Sequence, residues 1–240
     1  MDPEGMIREN ILRIRERIAL ACSRSGQDPD SITIVAVSKG RIPEEIKEVL
    51  GSGITDIGEN RVQEAVPKHA QLSALPAGKA GKWHMVGHLQ TNKVKEAVNI
   101  FDLIHSVDSL RLAEEIDKQA ARLNKVQDIL IEVKTSEEAT KFGIEPEQAI
   151  KAIEDMARLK NISIRGLMTI APFGVIPHGH SSESARPYFR TLRELKDRIH
   201  TLYAKRYTLD ILSMGMTDDF EVAIEEGANM LRLGRAIFEG

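Results

Sequence analysis

Ser31-Ile-Thr-Ile-Val-Ala-Val-Ser-Lys-Gly40 decides the fold. Between Ile32 and Val37 every residue but Thr33 is apolar and every residue but Ala36 is β-branched. A short unbroken run of this kind suits a strand covered on both faces, as a parallel sheet requires. The run closes on Ser38, Lys39 and Gly40, after which Pro43-Glu44-Glu45 starts a helix. Proline fits a first helical turn because its missing N–H has no partner to lose there. An amine is thus placed at the carboxyl end of a buried strand, where α/β folds gather ligands and chemistry.

Working outward, the same strand-then-helix unit recurs. Further strands are expected at residues 54–57, 83–86, 100–105, 128–133, 162–170, 208–212 and 229–233, with Gly166 bending the sixth of the eight. Helices are expected at 43–50, 61–72, up to about 98, and at 109–123, 146–159, 187–202 and 218–226. Before all of them, Ile7, Ile11, Ile14, Ile18 and Ala21 share one face of a helix over 6–25 that stops before Gly26. Eight strands alternating with helices argue for a parallel sheet closed as a (β/α)8 TIM-type barrel, in a single domain over residues 1–240. A doubly wound open sheet is the runner-up. No room is left after Leu233 for a full eighth helix, and the N-terminal helix is expected to fill its place. The Gly-, Pro-, His- and Ser-rich segment 173–184 reads as a mobile loop over the strand ends.

Composition narrows the function classes. The formal charge is -3 and no long run has a single sign, so neither a nucleic-acid nor a membrane partner is expected. No apolar run approaches the roughly 20 residues of a membrane span. The first residues lack the basic and apolar segments of a secretory signal, and the lone Cys22 cannot form an internal disulfide. A reduced, cytoplasmic setting is expected.

A barrel gathers its strand ends on one face. Here these supply Lys39, Glu59-Asn60, Gly87-His88, Ser106, Lys134-Thr135, Met168-Thr169, Ser213-Met-Gly-Met-Thr217 and Gly234-Arg235. The loops after strands seven and eight are the usual phosphate site of this architecture. Gly215 and Gly234 would let backbone N–H groups approach an anion, and Ser213 and Thr217 would add hydroxyls. Asp218 and Asp219 oppose any help from the next helix, and Asp218 with Glu221 resembles a capping box. A phosphate site opposite a lysine suggests a phosphorylated aldehyde or ketone. Position alone leaves Lys39 open to two readings, an amine made neutral by burial for attack on a carbonyl, or a rim lysine paired with a carboxylate. Lys134 is open to the same pair of readings. Glu59 is expected to orient Lys39 or Asn60. His84 with His88, and His178 with His180, have no spacing that would build a metal site. Met214 and Met216 are expected to fill core gaps.

Several segments together resemble one family: Ala36-Val-Ser-Lys39, Gly58-Glu-Asn-Arg-Val-Gln-Glu64, Trp83-His-Met-Val-Gly-His-Leu-Gln90, His105-Ser-Val-Asp108, Gly166-Leu-Met-Thr169, Leu212-Ser-Met-Gly-Met-Thr-Asp-Asp-Phe-Glu221 and Arg232-Leu-Gly-Arg-Ala-Ile-Phe238. Their number and order are similar to those of the pyridoxal phosphate homeostasis protein family. The resemblance implies the barrel of the alanine racemase N-terminal domain, with pyridoxal 5′-phosphate (PLP) held as an aldimine on Lys39. It implies that Ser213 and the Gly215 and Gly234 backbones hold the phosphate, that Asn60 lies near the ring with Met168 beside it, and that Arg232 faces the pyridine nitrogen. A cation there makes the ring a poorer electron sink. The implied task is buffering PLP or passing it to PLP-dependent apoenzymes, by a monomer without robust catalysis. An amino-acid racemase of the same fold is the rival, set back by the lack of a second domain after strand eight. A Schiff-base aldolase acting on sugar phosphates is third. Two positions depart from the family pattern. Arg235 stands where threonine is usual, able to strengthen the phosphate site or to point to solvent, and Gly40 replaces a further hydroxyl.

Overall fold

The computed structural model describes residues 3–76, 80–136, 138, 142–172, 182–203 and 209–240. Its strands are β1 (Thr33–Val37), β2 (Asp56–Glu59), β3 (Lys82–Met85), β4 (Leu103–Val107), β5 (Gln127–Glu132), β6 (Ile162–Met168), β7 (Ile211–Ser213) and β8 (Met230–Leu233). Each pairs in parallel with its neighbour, and β8 pairs with β1 through Thr33↔Met230 to Ala36↔Leu233. The barrel is closed, which rules out the open sheet.

Outside it run α1 (Pro3–Ser25), α2 (Pro43–Gly51), α3 (Val62–Leu72), α4 (Val94–Ile100), α5 (Leu110–Arg122), α6 (Pro146–Met156), α7 (Arg186–Tyr203), α8 (Phe220–Glu225) and α9 (Arg235–Phe238). The four-residue α9 cannot cover the β8–β1 seam. α1 does so, packing against α2, α8 and α9 with Ile7, Ile11, Ile14, Ile18, Ala21 and Cys22 buried. Asn10 Nδ2 donates to Ile237 O (3.0 Å), tying this helix to the chain's end.

Two strands sit later than their apolar residues suggest. β2 contains Gly58 and Glu59, and β4 contains His105 and Ser106, all buried. Strand seven is described only from Leu209 onward, and most of segment 173–184 lies outside the described residues. At Gly166 the β5–β6 register slips, from Ile129↔Ile164 to Leu130↔Gly166. An added Cβ there would stand 2.0 Å from Ile211 O, so the bend is also a close backbone approach.

The main core lies between barrel and helices. Inside the barrel a smaller apolar cluster (Val35, Val86, Leu103, Leu130, Met168 and Met230) shares the space with a buried polar chain. None of the described helices is long and apolar enough to cross a membrane.

Candidate functional site

Lys39 lies two residues past β1, in a turn closed by Arg41 N–H to Ser38 O (3.0 Å). Its side chain is exposed, not buried as the sequence suggests. Among the described residues no carboxylate pairs with it, which sets the rim-pair reading aside and leaves the amine open to a carbonyl. Gly40 has φ +72°, a left-handed turn position that suits glycine and would strain a threonine.

The turn is anchored from beneath. Ser38 Oγ donates to Glu59 Oε1 (2.6 Å), and Lys68 Nζ donates both to that oxygen (2.6 Å) and to Ser38 O (2.7 Å). Glu59 is fully buried, and its Oε2 has no partner. Glu59 therefore acts on Lys39 through the neighbouring Ser38. Lys68 is a site-supporting residue that the sequence pattern missed, because on α3 it looks like any surface lysine; its nine-residue distance from Glu59 was the only available signal.

A cleft of about 660 Å³ opens beside this turn, lined by Lys39, Asn60, Arg61, His88 and Lys93 among others. His88 stacks on Phe142 (3.6 Å between centroids) and meets Asp108 (3.4 Å). Lys134 pairs with Glu145 (3.1 Å), the rim salt bridge of its two readings.

The other predicted residues fall in two further places. Inside the barrel, Arg232 is nearly fully buried and donates through Nη1 to Ser213 O and Oγ (2.7 Å each) and through Nη2 to Thr169 O (2.8 Å). Met168 aligns with Ser213 across β6–β7. Burial brings the Arg232 guanidinium down to about 10, opposed by Asp219 and Glu132, so it still carries its charge at neutral pH. At the rim, Gly234 lies beside Val37, whose carbonyl an added Cβ would meet at 3.4 Å. Gly215 has φ +93°, and a Cβ on it would sit 2.6 Å from the Ala223 Cβ. Its carbonyl accepts from Arg232 N–H (3.0 Å), so the turn after β7 is locked to β8.

One sequence reading needs correction here, and one open pair of alternatives is decided. Asp218 and Glu221 form no capping box, since Asp218 pairs with Arg235 and Glu221 with Arg17. Asp219 is the residue at the N-cap, and its Oδ1 accepts from Met216 N–H (2.6 Å). Arg235 is exposed on that ion pair, the solvent-facing alternative.

Glu132 ends β5, and its Oε2 has no hydrogen-bond partner among the described residues. Burial and the Asp108 carboxylate push it up to about 7, against the pull of Arg232. A carboxyl raised in the folded state binds more protons there than when unfolded, so stability falls as pH rises from about 4.5 to about 7. That window is worth about 3 kcal/mol at most. Glu132→Gln is expected to flatten this part of a urea-denaturation series, and an unchanged slope would place the titration elsewhere.

The chain is thus an eight-stranded parallel barrel with a lysine just past its first strand and a buried arginine on its last. The sequence profile of the alanine racemase N-terminal domain family matches residues 7–240. The alanine racemase of Clostridium difficile shares this fold at 15% identity (TM-score 0.73), over 97% of this chain and 59% of its own. Nearer relatives are more specific. A pyridoxal phosphate homeostasis protein of Aquifex aeolicus is 45% identical over 96% of each chain, and one of Pseudomonas aeruginosa is 36% identical over 97% of this chain and 94% of its own. PipY of Synechococcus elongatus, solved with PLP bound, is 36% identical over 94% of this chain and 99% of its own, with a TM-score of 0.77. The chain belongs to the pyridoxal phosphate homeostasis protein family.

Proposed function

We propose that this chain binds PLP on Lys39 and serves intracellular PLP homeostasis, by buffering the cofactor or delivering it to PLP-dependent apoenzymes. The observation that carries this reading is Lys39 itself, exposed and without a carboxylate partner among the described residues, on the same cleft as Asn60 in a member of this family. The residues present fit the group. The cleft lined by Lys39 and Asn60 falls within the roughly 300–1,000 Å³ of small-molecule sites, and on the neighbouring strands β7 and β8, outside that cleft's lining, stand the buried Ser213 hydroxyl and the charged Arg232 guanidinium. When bound, PLP supplies an aldehyde that condenses with an amine, releasing water.

The residues divide the work. Lys39 offers the amine, and Glu59 with Lys68 fix the turn that presents it. Ser213 and the Gly215 and Gly234 backbones are assigned to the phosphate, Asn60 and Met168 to the ring, and Arg232 to the pyridine nitrogen. A permanently charged donor at that nitrogen disfavours its protonation and so favours carriage over catalysis. The Arg235 guanidinium, engaged with Asp218, is assigned no more than its backbone at the phosphate. The chain is read as one domain over 1–240, acting as a cytoplasmic monomer.

The functional test loads the purified protein with PLP, removes free cofactor, and mixes it with an apo-aminotransferase. Recovery of aminotransferase activity, with no measurable alanine racemisation by the chain alone, is expected. Substantial racemisation lost in Lys39→Ala would overturn the carrier reading.

A further inference from the structure

Four buried groups and the half-buried Asp56 form a continuous hydrogen-bonded chain through the barrel. Asp56 Oδ1 meets His84 Nε2 (2.9 Å), His84 Nδ1 meets His105 Nε2 (2.9 Å), His105 Nδ1 meets Ser213 Oγ (3.0 Å), and Arg232 Nη1 meets that same Oγ (2.7 Å). We propose that this chain couples phosphate binding to protonation: Ser213 can donate to a phosphate only if the chain reverses, and reversal takes up one proton at the Asp56–His84 end. The inference rests on the reading above in which Ser213 holds the phosphate.

The proton count follows from what each group can donate. Arginine only donates, an ionised aspartate only accepts, a neutral histidine has one N–H, and serine has one O–H. His105 is wholly buried, and burial, His84 and Arg232 together hold it well below the usual imidazole range, so it is neutral. Burial works against the Asp56 carboxylate, yet hydrogen bonds from His84 and Thr55 keep it below its ordinary value, so it is ionised. When His84 carries one N–H, three protons must fill three contacts, and one arrangement does so. His84 donates from Nε2 to Asp56, His105 donates from Nε2 to His84, and Ser213 donates to His105. The Ser213 proton is therefore committed inward.

For Ser213 to donate outward, His105 must donate from Nδ1 and His84 from Nδ1. The His84 Nε2–Asp56 contact then lacks a proton, and one more must enter. Solvent can supply it from the far side of the barrel, because Asp56 borders a cleft of about 420 Å³ also lined by Arg15, Asp30 and Thr55. Ser213 keeps its bond from Arg232 in either direction, since its oxygen can accept two bonds while donating one. The other charges around the chain are Lys82, Arg15 and Asp30 near Asp56, and Glu132 and Asp219 near Arg232. Glu132, at about 7, is the one whose own titration must be separated.

The test uses pyridoxine 5′-phosphate, which has no aldehyde to react with Lys39. Calorimetric titration at pH 7.5, in two buffers of different ionisation enthalpy, is expected to show about one proton taken up per ligand bound. Affinity should fall about tenfold per pH unit above neutrality. Glu132→Gln should keep the uptake. Asp56→Asn should abolish it and make affinity independent of pH, because the asparagine amide donates to His84 Nε2 and sets the reversed direction without a proton. His84→Gln, which removes the ring that relays the direction, should also abolish it. Phosphorus NMR should find the bound phosphate as a dianion. Binding without proton uptake, uptake that survives Asp56→Asn and His84→Gln, or a singly protonated bound phosphate would overturn the inference and leave PLP binding standing. If neither pyridoxine 5′-phosphate nor PLP binds, the underlying reading fails first.

Discussion

Lys68→Met is expected to destabilise the protein by about 3–5 kcal/mol, because it leaves the buried Glu59 carboxylate without its cation. Glu59 Oε1 would keep only the Ser38 hydroxyl, and Oε2 already has no partner. At roughly 2–4 °C per kcal/mol for a chain of this size, Tm should drop by about 10 °C. The double variant Glu59→Gln/Lys68→Met should recover part of that loss, since the charge needing compensation is gone. Local consequences should follow as well, because Lys68 also holds the Ser38 carbonyl and so the turn that presents Lys39. Slower capture of PLP by the folded variant is expected. A Tm within 2 °C of wild type would mean that water or a shifted side chain replaces Lys68, and that the turn is set some other way.

Arg232→Met should cost a similar amount, with a pH signature that separates it from a packing defect. Three hydrogen bonds to Ser213 and Thr169 are lost; Ser213 O keeps its bond from Thr169 N–H (3.2 Å) and Ser213 Oγ its contact with His105, while Thr169 O loses its charged donor. The substitution also removes the cation that opposes the burial of Glu132 and Asp219, so both carboxyls should move further up. Acids raised in the folded state favour folding at low pH and lose that contribution as pH increases. The defect should therefore be smaller at pH 5, where Glu132 is largely neutral, than at pH 8, as urea denaturation at both values would show. A defect independent of pH would mean that packing alone accounts for the cost.

The parts of this molecule that could be read from sequence are those written in local pattern. The β-branched run ahead of Lys39, the alternation of strand and helix, and the apolar face of α1 all depend on neighbours a few residues apart, and the structure contains each of them. β2 and β4 run later than their local pattern suggests, because Glu59 and Ser106, like His105, look like the polar ends of strands. They are buried within them, where Glu59 is stabilised by Lys68 and His105 by His84 and Ser213. Ser213 is 108 residues from His105 in sequence, a separation that no composition window or periodicity registers. The same long range hid the chain from Asp56 to Arg232, whose members had been read singly, as a candidate metal ligand that led nowhere, a strand-end hydroxyl and a ring partner. Asp218 and Glu221 show the opposite error. Their local pattern suggested a capping box, but Arg235 and Arg17, brought in by the closed barrel and by α1, hold the two acids that would have formed it.

The most direct test of the central claim is borohydride reduction of the PLP-treated protein, with absorption spectra before and after and peptide mapping of the product, run beside Lys39→Ala. The account predicts a visible band that reduction removes, a reduced pyridoxyl phosphate adduct on the peptide bearing Lys39, and neither in the variant. A colourless protein, or an adduct on another lysine that persists in Lys39→Ala, would contradict it.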